Sequence, residues 1–238
     1  MDMKQVMEAA GLAASEETEE KLSRYHALLM EWNQKMDLTS VSEQDMAVRH
    51  FLDSLLPLRE KGLFPENAAL IDVGTGAGFP GLPLAIARPD LKVTLLEAQG
   101  KRCTFLQAVV DELGLQNVTI LNDRAENAGR DAKLREAFDL AAARAVAPLP
   151  VLCEYLLPFV KKGGRMLCWK GPAVLREMAD GAFAAKQLGA ELHEPMEMRL
   201  PGEESGHVLV TARKTKETPP QYPRKNGIPA KRPLKSGK

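Results

Sequence analysis

The 238-residue chain has no run of 18 or more apolar residues, so no transmembrane helix is expected. Its first 20 residues are acidic and lack a basic segment followed by an apolar one, so no signal peptide is expected. Cysteine is scarce: Cys103, Cys153 and Cys168 are an odd number, widely spaced, in a chain long enough to build its own core. A disulfide framework is therefore not expected, and the reducing cytoplasm is. The four histidines (His26, His50, His193 and His207) lie far apart without metal-ligand spacing, so no metal is expected. Apolar side chains are not in short supply: 45% hydrophobic and 27% charged residues are ordinary globular values, which excludes disorder of the whole chain.

The formal net charge is zero, but it is unevenly spread. Residues 213–238 carry nine Lys or Arg against one acid, Glu217, a net +8 that leaves −8 on the remainder. Such a tail calls for an anionic partner. Pro219, Pro220, Pro223, Pro229 and Pro233 exclude a regular helix or an inner strand there. Residues 214–238 thus read as a basic, proline-rich extended arm.

Residues 1–66 read as a helical extension. In 16–36, Leu22, Tyr25, Leu29, Trp32 and Met36 recur at steps of three and four, one apolar stripe of an amphipathic helix. In 43–60, Met46, Val48, Phe51, Leu52, Leu55 and Leu56 do the same, and His50 and Asp53 stand three apart, where they can pair locally. From residue 68, short apolar runs (70–73, 93–97, 118–121, 138–143, 165–169) alternate with helical stretches (81–87, 101–113, 148–160, 172–188). That alternation predicts an α/β fold, an open and mostly parallel sheet with helices on both faces, over residues 67–213. Two further strands, near 192–198 and 207–212, have only a loop between them and predict an antiparallel pair at one edge. Nothing in the chain demands more than a monomer.

The chemistry concentrates in Leu70-Ile71-Asp72-Val73-Gly74-Thr75-Gly76-Ala77-Gly78, an apolar strand running into a glycine turn, with a helix following from about Pro80. Glycines there let the backbone approach a ligand across the carboxyl end of the strand. Two frames compete. Gly76-x-Gly78-x-x-Gly81 matches a dinucleotide fingerprint. Gly74-x-Gly76-x-Gly78, starting directly after the strand with Asp72 before it, looks like the first motif of S-adenosylmethionine-dependent methyltransferases. An acid beside the turn favours a cationic amine or sulfonium and repels a pyrophosphate. Glu97, ending the second strand, is placed to accept hydrogen bonds from ribose hydroxyls under either frame. The polar run Asn122-Asp123-Arg124-Ala125-Glu126, after the third, suits an adenine edge.

The full run Asp72-Val73-Gly74-Thr75-Gly76-Ala77-Gly78-Phe79-Pro80-Gly81 resembles the signature of the bacterial 16S ribosomal RNA guanine-N7 methyltransferases, also called glucose-inhibited division protein B. The resemblance extends to Trp32-Asn33 with Asp37-Leu38-Thr39, Arg49-His50 with Asp53-Ser54-Leu55, Lys101-Arg102, Arg144-Ala145, Lys170-Gly171, and Pro223-Arg224-Lys225 with Gly227, Pro229 and Lys231. It implies a Rossmann-like class I methyltransferase sheet. It also implies S-adenosylmethionine as cofactor, with Gly74, Phe79, Ala125, Glu126 and Arg144 in contact with it, to which the turn reading adds Asp72, Gly76, Gly78 and Glu97. The implied substrate is 16S rRNA or the small ribosomal subunit, methylated at guanine 527 of the 530 loop. Glu97-Ala98 stands where the family has Asp-Ser, and Ala143 where Ser or Thr is common.

Guanine N7 has a lone pair and no proton, so its methylation needs in-line attack and no general base; catalysis is positioning and electrostatics. The sequence contains no Asn-Pro-Pro-Tyr or Asp-Pro-Pro-Tyr for an exocyclic amine and no Pro-Cys for pyrimidine chemistry, and no catalytic base is assigned. Lys101, Arg102, Lys170, Arg224, Lys225 and Lys231 are the expected RNA-binding cations, with Arg144 on the same rim. Two other classes remain open at this point: a nicotinamide-dependent oxidoreductase using the Gly76–Gly81 frame, and an RNA-binding assembly protein without catalysis.

Overall fold

A strand whose side chains are apolar on both sides must be covered on both faces. Leu70 of the first strand belongs to one core and Ile71 to the other, and Leu140 and Ala142 alternate in the same way with Ala141 and Ala143. The computed structural model describes every residue except 14, 145–146, 203–205 and 238. Its strands are β1 (Ala69–Val73), β2 (Lys92–Glu97), β3 (Val118–Asn122), β4 (Phe138–Arg144), β5 (Val160–Lys170), β6 (Ala190–Leu192), β7 (Met196–Met198) and β8 (His207–Lys214). They form one sheet in the order β3-β2-β1-β4-β5-β8-β6, with β7 also paired to β8. The strands β1 to β5 are parallel. Helices Gly81–Ala87 and Gly100–Leu113 pack on one face with the N-terminal extension; helices Leu149–Leu156 and Met178–Gln187 cover the other.

The expected antiparallel pair is present at the end of the sheet beyond β5, where β7 pairs with β8. β8 inserts between β5 and the short strands β6 and β7, antiparallel to all three. Its residues Leu209 to Ala212 are buried, with side chains alternating to two covered faces, and its edges are paired by β5 on one side and by β6 and β7 on the other.

The N-terminal extension holds helices Met3–Ala9 and Glu16–Asn33, the second capped by Ser15 and carrying Glu16, Glu17 and Glu19 in its first turn, where the helix dipole favours acids. The helix expected over 43–60 is present but changes winding. It runs as α-helix over Glu43–Met46, π-helix over Ala47–Leu52, α-helix over Asp53–Leu55 and 3-10 helix over Leu56–Arg59. A π segment marks functional positions more often than plain helix does, and this one carries Arg49 and His50.

The basic tail is not a free arm. Lys214 is fully buried, donating to Glu136, to the carbonyls of Leu157 and Val160, and to Thr218. Arg135 holds the carbonyls of Thr218 and Tyr222, each at 2.7 Å. Arg224, expected on RNA, instead forks onto Glu154, a carboxylate with no exposed surface, and its own backbone N–H donates to the same group at 2.7 Å. A buried carboxylate needs such a partner, and the planar guanidinium supplies two parallel bonds.

Candidate active site

The carboxyl ends of β1, β2, β4 and β5 open into a cleft of about 670 Å³, with residues 38–53 of the N-terminal extension as a further wall. The volume suits a nucleoside-sized ligand, and the position is where open α/β sheets bind ligands.

The glycine turn is hung from the next strand. Gly74 N–H donates to the Leu96 carbonyl at 2.8 Å, and Gly76 N–H to Glu97 Oε2 at 3.0 Å. The four glycines divide into two pairs. Gly74 and Gly76 line the cleft with φ of +71° and +61°, and a Cβ on Gly76 would find nothing nearer than a backbone oxygen at 4.0 Å. Gly78 and Gly81 face inward: a Cβ would lie 2.4 Å from Leu82 at the first and 2.4 Å from Leu95 at the second. Of the dinucleotide frame only Gly76 therefore lines the cleft, and Gly78, an expected cofactor contact, faces away from it.

Asp72 also leaves the cofactor wall. It is fully buried beneath the turn, accepting from Thr75 Oγ1 at 2.6 Å and from Gly81 N–H at 2.8 Å, with Oδ1 unpartnered. It staples the turn to the strand. Glu97 does line the cleft, and its longer side chain folds back so that Oε1 accepts from Gln99 N–H at 2.8 Å while Oε2 takes Gly76. Each oxygen keeps a further lone pair.

Phe79 lies at the centre of the cleft's aromatic side. Its ring stacks on His50 at 4.6 Å and on Tyr25 at 5.2 Å, with the Arg144 guanidinium 4.9 Å from its centroid. Tyr25 Oη also donates to the Ala77 carbonyl at 2.5 Å, so the extension braces the glycine turn directly. Arg144 ties the β4 end to the π segment. It donates to Asp53 Oδ2 at 3.0 Å, to His50 Nδ1 at 3.0 Å and to the carbonyls of Arg49 and His50. His50 and Asp53 thus share Arg144 rather than pairing with each other. His207 Nδ1 completes the cluster at 2.9 Å from Asp53 Oδ1.

The family model for GidB, rRNA small subunit methyltransferase G, matches residues 18–200. The chain belongs to this family. It is 44% identical over 236 residues to the ribosomal RNA small subunit methyltransferase G of Alkaliphilus metalliredigens, covering 99% of this chain and 98% of that one. It is 47% identical over 225 residues to the protein of that name from Carboxydothermus hydrogenoformans, covering 94% and 95%. Among solved structures it is similar to M. jannaschii TYW2 in complex with AdoMet (20% identity, TM-score 0.51, 67% of this chain and 74% of that one). It is also similar to P. horikoshii TYW2 in complex with MeSAdo (16% identity, TM-score 0.53, 76% and 65%). These likenesses show the shared fold.

The protein is accordingly an S-adenosylmethionine-dependent methyltransferase, and the cleft fits that cofactor: open space over Gly76, and a carboxylate with spare lone pairs at the β2 end. The remaining expected contacts of the methyltransferase are dispersed. Ala125 and Glu126 lie off the cleft wall, and Glu126 Oε1 accepts from Gly227 N–H of the tail at 2.8 Å. Lys170 lines the cleft, but its charge is held by Glu177 at 3.0 Å and the Ala147 carbonyl at 3.1 Å. Arg102 lines the same cleft; Lys101 joins it at an adjoining depression beside Lys35. Lys101, Lys225 and Lys231 are exposed. Thr39, His50, Asp53 and His207 line the cleft without having been assigned to it from sequence. The Asp37-Leu38-Thr39 and Arg49-His50 runs were the available signal.

Two buried groups of the methyltransferase titrate with opposite sign. Burial, reinforced by Arg144, pushes His50 down from 6.5 to about 3, so it is neutral at pH 7. Its share of stability is present above 6.5 and is lost as pH falls toward 3. Burial pushes Asp72 up from 3.8 to about 6 against its bonds from Thr75 and Gly81. The folded chain holds that proton longer than the unfolded one, so this contribution is present below 3.8 and is lost as pH rises through about 6. Urea unfolding should therefore show Asp72→Asn gaining on the wild type between pH 4 and 6, by about 3 kcal/mol at most. A stability difference that is flat across that interval would refute the assignment.

Proposed function

We propose that this methyltransferase modifies N7 of a guanine in the 16S rRNA of the small ribosomal subunit, acting as a monomer in the cytoplasm. The observation that carries the choice of atom is the commitment of the groups beside the acceptor end. Both nitrogens of His50 and both oxygens of Asp53 are already in hydrogen bonds. Such a site positions a nucleophile that has its own lone pair, as N7 does, and withdraws no proton.

When bound, S-adenosylmethionine supplies an electrophilic methyl group on a sulfonium. The chain's own part is placement. Gly74 and Gly76 bring the turn backbone close, and the free lone pairs of Glu97 accept ribose hydroxyls. Arg144 fixes the wall against which the guanine packs. Arg102 and exposed Lys101, Lys225 and Lys231 meet RNA phosphates. The oxidoreductase reading is disfavoured by the inward-facing Gly78 and Gly81.

The test is methyl transfer from labelled S-adenosylmethionine to intact small subunits and, in parallel, to deproteinised 16S rRNA, followed by nucleoside identification. Label on 7-methylguanosine is expected, and the better acceptor shows whether RNA fold or protein context is read. Label on another nucleoside, on protein or on a small molecule would overturn the proposal.

A further inference from the structure

The cleft wall beside Arg144 carries a chain of hydrogen bonds whose directions follow atom by atom. A guanidinium only donates, so the contact from Arg144 Nη2 to His50 Nδ1, 3.0 Å, makes Nδ1 an acceptor. An imidazole carries at least one proton, and here that proton sits on Nε2. Nε2–H then donates to Thr39 Oγ1 at 2.7 Å. The Val41 backbone N–H donates to the same oxygen at 3.1 Å. A hydroxyl has two lone pairs and one hydrogen. Both lone pairs of Thr39 are taken, so the hydroxyl can only donate, and no acceptor among the described residues receives its hydrogen.

Thr39 is half-buried and lines the cleft. Its backbone is clamped by Asn33, whose Oδ1 accepts from the N–H groups of Leu38 and Thr39 at 2.9 Å each and whose Nδ2 donates to the Thr39 carbonyl at 3.1 Å. The hydroxyl is therefore aimed by a rigid support rather than free to swing. It lies one imidazole away from Arg144 at the end of β4, whereas Glu97 ends β2 on the other side of β1. That places Thr39 toward the acceptor end of the cleft.

We propose that Thr39 reads position 6 of the target purine and makes the enzyme choose guanine. This rests on the N7 reading above and adds the source of its specificity. Guanine and adenine both offer an N7 lone pair, so the attacking atom does not distinguish them. The neighbouring atom does: guanine has the acceptor O6, adenine the donor N6–H₂. A hydroxyl that can only donate bonds to O6. Against adenine it meets another donor, and both groups lose their water without a partner.

The experiment compares small subunits reconstituted with guanosine or adenosine at the modified position, using wild type, Thr39→Val and Thr39→Ser. Wild type should prefer guanosine strongly. Thr39→Val should lower kcat/KM on guanosine by about 10- to 100-fold, the size of one buried hydrogen bond, and raise it on adenosine, where the donor clash is gone, so that the preference collapses. Thr39→Ser should restore most of it. Because the readout is a ratio on one variant, a general loss of folded enzyme cancels. Formation of 7-methylguanosine with an unchanged purine ratio in Thr39→Val overturns this inference alone. Failure of the wild type to form 7-methylguanosine overturns it together with the N7 reading.

Discussion

Arg144→Met should lower kcat/KM for methyl transfer to rRNA by about 10²–10³-fold, because misplacing the wall by about an ångström has that effect on a reaction that depends on positioning. Methionine keeps the length and removes the charge. Asp53, with a side chain only 2% exposed, then loses its bond from Arg144 and keeps the His207 contact. Breaking a buried pair from one side destabilises by about 3–5 kcal/mol, so the denaturation midpoint should fall as well. Arg144→Lys should not rescue activity, since a point charge cannot reach Asp53, His50 and two carbonyls at once. The His50 tautomer would also be released, so the purine preference assigned to Thr39 should weaken in parallel. An Arg144→Met enzyme within threefold of wild type would remove this residue from the site.

Arg224→Ala should destabilise the fold by about 3–5 kcal/mol while leaving the salt dependence of RNA binding unchanged in the folded fraction. Glu154 has no exposed surface, and in the variant it keeps one backbone N–H in place of a bidentate fork. Lys225→Ala and Lys231→Ala are the contrasting cases. Both lysines are exposed, so each change should reduce the slope of log K against log salt by about one and leave the melting temperature alone. A normal melting temperature with a reduced slope for Arg224→Ala would return that residue to the RNA interface.

The contrast between these arginines and lysines shows what a sequence conveys. The tail's composition announces nine cations; it does not announce that Glu154, 70 residues earlier, is waiting for one of them. Asp72 was misplaced for the same reason. Its proximity to the glycines is visible in the sequence, but whether a carboxylate lies over or under a turn depends on Leu95 and Gly81 closing around it. The strands and crossover helices were legible because burial on both faces writes continuous apolar runs, and Gly74 and Gly76 because positive φ selects glycine. The antiparallel β7–β8 pair was legible from the loop that joins it, but the insertion of β8 directly against β5 was not, since the apolar pattern does not say which neighbour a strand takes. Thr39 and His50 lay in recognised runs, but their link through Arg144 spans 94 residues.

The location of β8 also governs the order in which the fold can be completed during synthesis. The parallel core from β1 to β5 can assemble as it leaves the ribosome, but β6 and β7 pair with β8 alone. Until β8 has emerged, β5 presents an open strand edge, the kind of surface that recruits foreign strands. Vectorial folding therefore ends with the last-made strand entering from the end of the chain and sealing that edge. The buried Lys214 at its terminus then acts as the bolt, joining the newest segment to carbonyls made more than fifty residues earlier.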